Sequence, residues 1–229
     1  MFEAIIPLRS KSRGLKNKNI LLFKNRLNLV NFTIKKLIGL KQIRKIYILT
    51  DSEFYKKKII KNKKIDLGYI RNKALSSNNS KIDDLIYDFL TNYNKEKINN
   101  NFLLFQVTSP MLYKREIIKT LNFIKAKKIF SLMHVTKVLE NPHEVIQMKK
   151  RKWNYLMKKR VVNRQNYDGK FLFITGSLFF FTRSFFKKNK TLISKKTFPF
   201  EIDRINFIDI DDKFTFELAK KIANTKTRN

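Results

Sequence analysis

Through the first half of the chain, short runs of β-branched and aromatic residues alternate with segments whose apolar side chains recur every three or four positions. That alternation predicts βαβ units feeding a mainly parallel sheet. Residues 2–6 predict the first strand, and a polar, glycine-containing loop follows over 8–19. Leu29, Phe32, Ile34, Leu37, Ile38 and Leu40 then place an apolar face on a helix. Residues 46–49 predict a second strand, with Asp51 and Ser52 at its carboxyl end, either able to cap the helix that begins there. A helix over 83–93, a strongly apolar and therefore central strand over 102–107, the turn Thr108-Ser109-Pro110, a helix over 115–127 and a strand over 129–135 come next.

From about 140 to 200 the periodicity weakens, leaving short β-like pieces at 145–148, 153–157 and 178–181. This stretch reads as an irregular insertion packed on the sheet. Regular character returns with a strand over 205–210 and a closing helix over 214–223, and no internal repeat is visible. The expectation is one α/β domain over residues 1–229.

Composition adds a rival reading and removes others. The formal net charge is +33, from 51 Lys and Arg against 18 Asp and Glu. Such an excess raises nucleic acid as a partner, through counterion release from phosphate backbones. The lysines are spread through nearly every segment, however, and no basic arm or stripe stands apart, so no specific nucleic-acid partner is expected. The absence of cysteine excludes disulfides, thiolate catalysis and Cys-based zinc sites, and is compatible with the cytoplasm. The longest strongly apolar stretch, 171–181, is interrupted by Thr175, Gly176 and Ser177 and is too short to span a bilayer. The amino-terminal residues lack the basic segment and long apolar run of a signal peptide, so the expected location is cytoplasmic, without membrane insertion.

Two segments carry candidate chemistry. The loop from Pro7 to Asn19 follows the first strand, at the edge where open α/β sheets bind ligands. There Gly14 permits a tight turn, successive amides can form an anion nest, and Arg9 and Lys18 can neutralise a triphosphate, although in so basic a chain this loop taken alone reads first as solvated surface. Near the other end stands Ile208-Asp209-Ile210-Asp211. In an extended strand residues i and i+2 share a face, so both carboxylates can meet one hard cation, unless Asp211 instead caps the next helix.

With these segments together, the chain resembles the cytidylyltransferase family that includes CMP-N-acylneuraminate synthetases and, more distantly, the CMP-Kdo synthetases. The family's opening Ile-Pro-Ala-Arg-x-Gly-Ser-Lys-Gly-x-x-x-Lys-Asn is echoed by Ile6 to Gly14 and by Lys18-Asn19. Its Ser-Thr-Asp-Ser step appears as Leu49-Thr50-Asp51-Ser52, and its Arg-Pro segment as Arg71-Asn72 followed by Ala74 to Asn78. Leu-Gln-Pro-Thr-Ser-Pro-Leu-Arg is matched by Phe105 to Leu112, and Asp-Ile-Asp-Thr by Asp209 to Asp212. The departures are Lys11 for Gly, Leu112 where the family has Arg, Asp212 for Thr, and Thr175 to Phe179 for Asn-Gly-Ala-Ile-Tyr. The last lies on the sugar side and leaves open which sugar acid is used.

The resemblance implies a single Rossmann-like nucleotidyltransferase domain whose partners are CTP and an acidic sugar of the sialic acid type, with Mg2+ as cofactor, within surface polysaccharide biosynthesis. It implies that Arg9, Ser12 and Lys18 hold the triphosphate, that Asn19 orients the nucleotide, and that Arg71 with the stretch from Asn78 to Ser80 reads cytosine. Arg9, Lys18 and Asp211 are the implied catalytic residues, with Asp209 and Asp211 on the metal. Gln106, Arg164, Gln165, Phe198 and Phe200 are candidates for the sugar side. A homodimer is implied, with the 140–200 region reaching the partner's sugar site. Legionaminic, pseudaminic or Kdo-like acids remain alternative substrates. No general base is assigned; His134 and His143, the only histidines, lie in no matched motif and read as structural.

Overall fold

The computed structural model describes residues 1–10, 14–77, 79–94, 100–157 and 169–225. The strands and helices run in the order β1 (Phe2–Leu8), β2 (Leu22–Lys24), β3 (Leu27–Asn28), α1 (Leu29–Ile38), β4 (Ile43–Thr50), α2 (Glu53–Lys57), β5 (Ile65–Asp66), α3 (Ile82–Asp88) and β6 (Asn101–Phe105). They continue with α4 (Lys114–Lys127), β7 (Ser131–Lys137), β8 (Ile146–Lys149), β9 (Lys152–Tyr155), β10 (Leu172–Thr182), α5 (Arg183–Asn189), β11 (Phe198–Glu201) and α6 (Lys213–Thr225). Seven strands form one sheet in the order β11-β7-β10-β6-β1-β4-β5. Its neighbours pair in parallel except at β10, which lies antiparallel to both β6 and β7. This is the mainly parallel sheet that the alternation predicts, in the Rossmann-like form that the resemblance implies.

The central strands β1, β6 and β10 are mainly apolar because both faces of the sheet are covered there. Ala4 and Ile6 of β1, Leu103 and Phe105 of β6, and Phe180 of β10 face a core closed by Val30, Ile34, Ile117 and Leu121 of α1 and α4. Their alternate neighbours Ile5, Phe102, Leu104 and Phe181 face a second core with Leu85 and Ile86 of α3 and Phe185 of α5. α6 closes a third cluster, in which Phe216 and Ala219 meet Phe23, Leu29, Met111 and Ile210.

Within the 140–200 region the hairpin β8–β9 stands outside the main sheet, whereas β10 and β11 join it. The strand expected over 205–210 does not form: a 3-10 turn at Arg204–Asn206 leads into an irregular extended segment. That segment has loops rather than a strand for partners. Ile210 N donates to Thr108 O (2.9 Å) and Asp211 O accepts from Leu15 N (3.2 Å). Among the described residues no helix is long and apolar enough to cross a membrane.

Candidate active site

Four chain segments converge at the carboxyl ends of β1 and β6 around a cavity of about 430 Å3. Arg9, Lys18, Asn19, Arg71, Ser80, Gln106, Asp209 and Asp211 all line it, together with Pro7, Ile82, Val107 and Thr108. Ser12, Asn78, Arg164 and Gln165 lie outside the described residues.

The loop after β1 is fixed from two sides. Asp51, at the end of β4, accepts hydrogen bonds from Ser10 N (2.8 Å) and Ser10 Oγ (2.9 Å), and Tyr55 Oη donates to Ser10 O (3.3 Å) and Asn17 Oδ1 (3.2 Å). Ser52, not Asp51, caps α2, its hydroxyl accepting from Tyr55 N at 3.2 Å. On the other side the loop touches the carboxyl-terminal segment. Any Cβ on Gly14 would collide with the carbonyl of Asp211, so close approach is what requires glycine there. The left-handed turn falls at Asn17 instead (φ 56°), just ahead of the short helix Lys18–Ile20 that carries Lys18 and Asn19 into the cavity.

Lys18 and the two aspartates form one electrostatic unit. Lys18 Nζ donates to Ile210 O (2.6 Å) and lies 3.4 Å from Asp211 Oδ1. Ile210 points into the third core cluster while Asp209 and Asp211 line the cavity, so the alternation expected of i and i+2 holds without a strand. Asp211 is 79% exposed, whereas Asp209 Oδ1 is buried with no hydrogen-bond partner among the described residues. Burial pushes the Asp209 pKa above the ordinary aspartate value, Asp211 adds to the rise, and Thr108 and Lys18 oppose it. The helix-cap role falls to Asp212, whose Oδ1 accepts from Thr215 N at 2.8 Å. Asp211 is thereby left facing the cavity. A buried orphan carboxylate oxygen beside an exposed carboxylate suits a hard cation completed by phosphate oxygens and water.

Arg71 is 7% exposed, and its guanidinium donates to Leu75 O through Nη2 (2.6 Å) and Nε (3.2 Å). Ser80 Oγ donates to the same carbonyl at 2.6 Å, which closes the 71–80 loop on itself. Burial lowers the Arg71 pKa, with Asp51 and Tyr69 acting against that and Arg9 with it. Beside Gln106, Gly176 (φ +68°) sits in a break in the β10–β7 register, and a Cβ on it would come 3.3 Å from Gln106 Oε1.

Two expected sugar-side residues are elsewhere. Phe198 and Phe200 of β11 pack tilted against Phe123 of α4, at 5.0 and 5.1 Å between ring centroids, and line neither this cavity nor the next. A second cavity of about 640 Å3 instead shares Asp209 and Asp211 with the first. Its wall includes Phe173 and Phe207, with rings 5.7 Å apart, and Arg204, whose guanidinium lies 5.1 Å from the Phe207 centroid. His134 lies in the core between Thr120 Oγ1 (2.9 Å) and Ser177 Oγ (3.3 Å), and burial lowers its pKa to about 3. It is neutral at physiological pH and lines neither cavity.

The chain is 24% identical over 93% of its length to an N-acylneuraminate cytidylyltransferase of Streptococcus agalactiae serotype III (strain NEM316), and spans about half (51%) of that relative. Its fold is similar to that of a CMP:2-keto-3-deoxy-manno-octonic acid synthetase solved with CTP (TM-score 0.67, 12% identity, 98% and 99% of the two chains). It is similar also to a 4-diphosphocytidyl-2C-methyl-D-erythritol synthase from Anaerococcus prevotii DSM 20548 (TM-score 0.65, 13% identity, 97% and 96%). A family model described as cytidylyltransferase matches residues 3–227, and the chain belongs to that family.

Proposed function

We propose that this protein transfers CMP from CTP to the anomeric hydroxyl of a sialic-acid-like 2-ulosonic acid and releases pyrophosphate. The observation that carries the reading is the meeting of Lys18 and Arg9 with Asp209 and Asp211 in one cavity, with a second cavity opening on the same carboxylates. The bond formed joins the acceptor's anomeric oxygen to the α-phosphorus. The bond broken is that from the α-phosphorus to the oxygen bridging to pyrophosphate. Positioning and charge neutralisation dominate such a transfer.

Arg9 and Lys18 bind the triphosphate, and Lys18 stabilises the charge that grows on the departing pyrophosphate. Arg71, Ser80 and the backbone of their loop face the base, and Asn19 holds the nucleotide's orientation. Asp209 and Asp211 would hold Mg2+, which would neutralise phosphate charge and lower the pKa of the attacking hydroxyl. The acceptor suits the second cavity, where Arg204 offers a cation to its carboxylate and Phe173 and Phe207 offer apolar walls to its carbon tail. Gln106 offers both a donor and an acceptor from the opposite side. The test is to incubate the protein with CTP, Mg2+ and each of several 2-ulosonic acids, and to weigh the products. A CMP adduct of a sialic acid supports the reading; an adduct only with a Kdo-like, legionaminic or pseudaminic acid changes the acceptor, and no adduct with any rejects it.

A homodimer belongs to the same proposal. Met148 (63% exposed) and Trp153 (54%) are paired across β8–β9, and Ile146 lies beside them on the same face, which gives an apolar surface suited to burial against a second copy. Because CTP is the donor, the proposed location is the cytoplasm.

A further inference from the structure

Lys36 lies in none of the matched motifs and lines neither cavity, yet it is bonded into the turn on which the site is built. Its ammonium donates to the carbonyls of Pro110 (2.8 Å) and Leu112 (2.9 Å) and lies 4.8 Å from the centroid of the Phe32 ring. The residue as a whole is partly buried, but the ammonium is enclosed, and burial draws its pKa down to about 7. Enclosing a cation is costly unless hydrogen bonds compensate, and here both carbonyls come from one turn.

Core burial of Val107, Met111 and Leu112 and a bond from Gln106 N to Ser177 O (3.4 Å) also hold that turn. Its internal backbone bonds are Ser109 N to Gln106 O (3.2 Å) and Leu112 N to Ser109 O (3.4 Å), and Pro110 has no N–H to contribute. The same turn presents Gln106 and Thr108 to the cavity, and Thr108 O receives Ile210 N, the amide between the two aspartates, at 2.9 Å.

We propose that Lys36 is a positioning residue: by holding the Pro110 and Leu112 carbonyls it fixes the turn after β6 and, through Thr108, the seat of Asp209 and Asp211. The kinetic half of this proposal rests on the function proposed above; the structural half does not.

Amide-resolved hydrogen exchange and steady-state kinetics of Lys36→Met test both halves. Exchange at Ile210 should rise by about tenfold or more while the amides of β1 and β4 keep their protection, as expected for local rather than global opening. The Mg2+ concentration for half-maximal pyrophosphate release from CTP should rise several-fold, at a KM for CTP near that of wild type. Protection of Ile210 that is unchanged, or lost only in proportion to that of β1 and β4, overturns the proposal. If Lys36→Met does not fold, Lys36→Gln, a shorter donor, carries the same comparison. A wild-type protein that releases no pyrophosphate rejects the proposed function, and the exchange comparison still decides the role of Lys36.

Discussion

Gly14 lies directly against the main chain of Asp211, so the loop proposed to hold the triphosphate and the segment proposed to hold the metal form one object. Gly14→Ala forces the two apart without any change of charge. Because displacements near 1 Å at a reacting centre can cost about 10²-fold, kcat/KM should fall by about that factor with only a small change in melting temperature. Kinetics beside thermal melts check this, and wild-type kinetics in the Ala variant would show that the contact is incidental.

Asp211 and Asp212 are neighbours with separable duties. Asp212→Ala removes the cap of α6 and should lower the melting temperature while leaving the Mg2+ requirement unchanged. Asp211→Asn should do the reverse. Magnesium titrations and melts of the two variants decide the matter, and a raised Mg2+ requirement in the Asp212 variant would count against the division.

Asp209 is expected to work at the expense of stability. Its folded pKa is raised, so from the ordinary aspartate value up to the raised one the folded state holds the extra proton. Stability from this group therefore falls as pH rises through that window. At neutral pH without divalent ions, Asp209→Asn should melt no lower than wild type, and it should lose the stabilisation that Mg2+ with CTP gives the wild type. A variant that melts clearly lower than wild type without metal would contradict the desolvation account.

Lys36 has the opposite linkage. Its folded pKa of about 7 lies below the ordinary 10.5, so between those values the unfolded chain binds more protons and stability rises with pH. The slope is at most ~1.4 kcal/mol per pH unit for one group. Denaturant melts at several pH values should show wild type gaining on Lys36→Met across that window. A constant difference would mean that the ammonium titrates normally.

Much of this was legible in the sequence, for identifiable reasons. The continuous apolar run that became β6 announces a strand covered on both faces, and Ile210 between Asp209 and Asp211 announces which way the carboxylates turn. The same alternation misled over 205–210, because an extended segment bonded only to loops carries the same pattern as a strand in a ladder. Phe198 and Phe200 could not be placed from their identity: pairing of β11 with β7 turns both toward Phe123. Nor does anything local mark Asp51 as the anchor of Ser10, 41 residues away, or Lys36 as the anchor of a turn on another strand.

The measurement closest to the central claim is pyrophosphate release by the purified protein with Mg2+ and a sialic acid, using each of the four nucleoside triphosphates in turn. The closed loop from Arg71 to Ser80 should discriminate among bases through hydrogen bonds that a wrong base leaves unpaired, by about 10²-fold or more in kcat/KM. Release from CTP should depend on both the sugar acid and Mg2+, with ATP, GTP and UTP far behind. Equal release from all four, or release from CTP that is indifferent to the sugar acid, would contradict it.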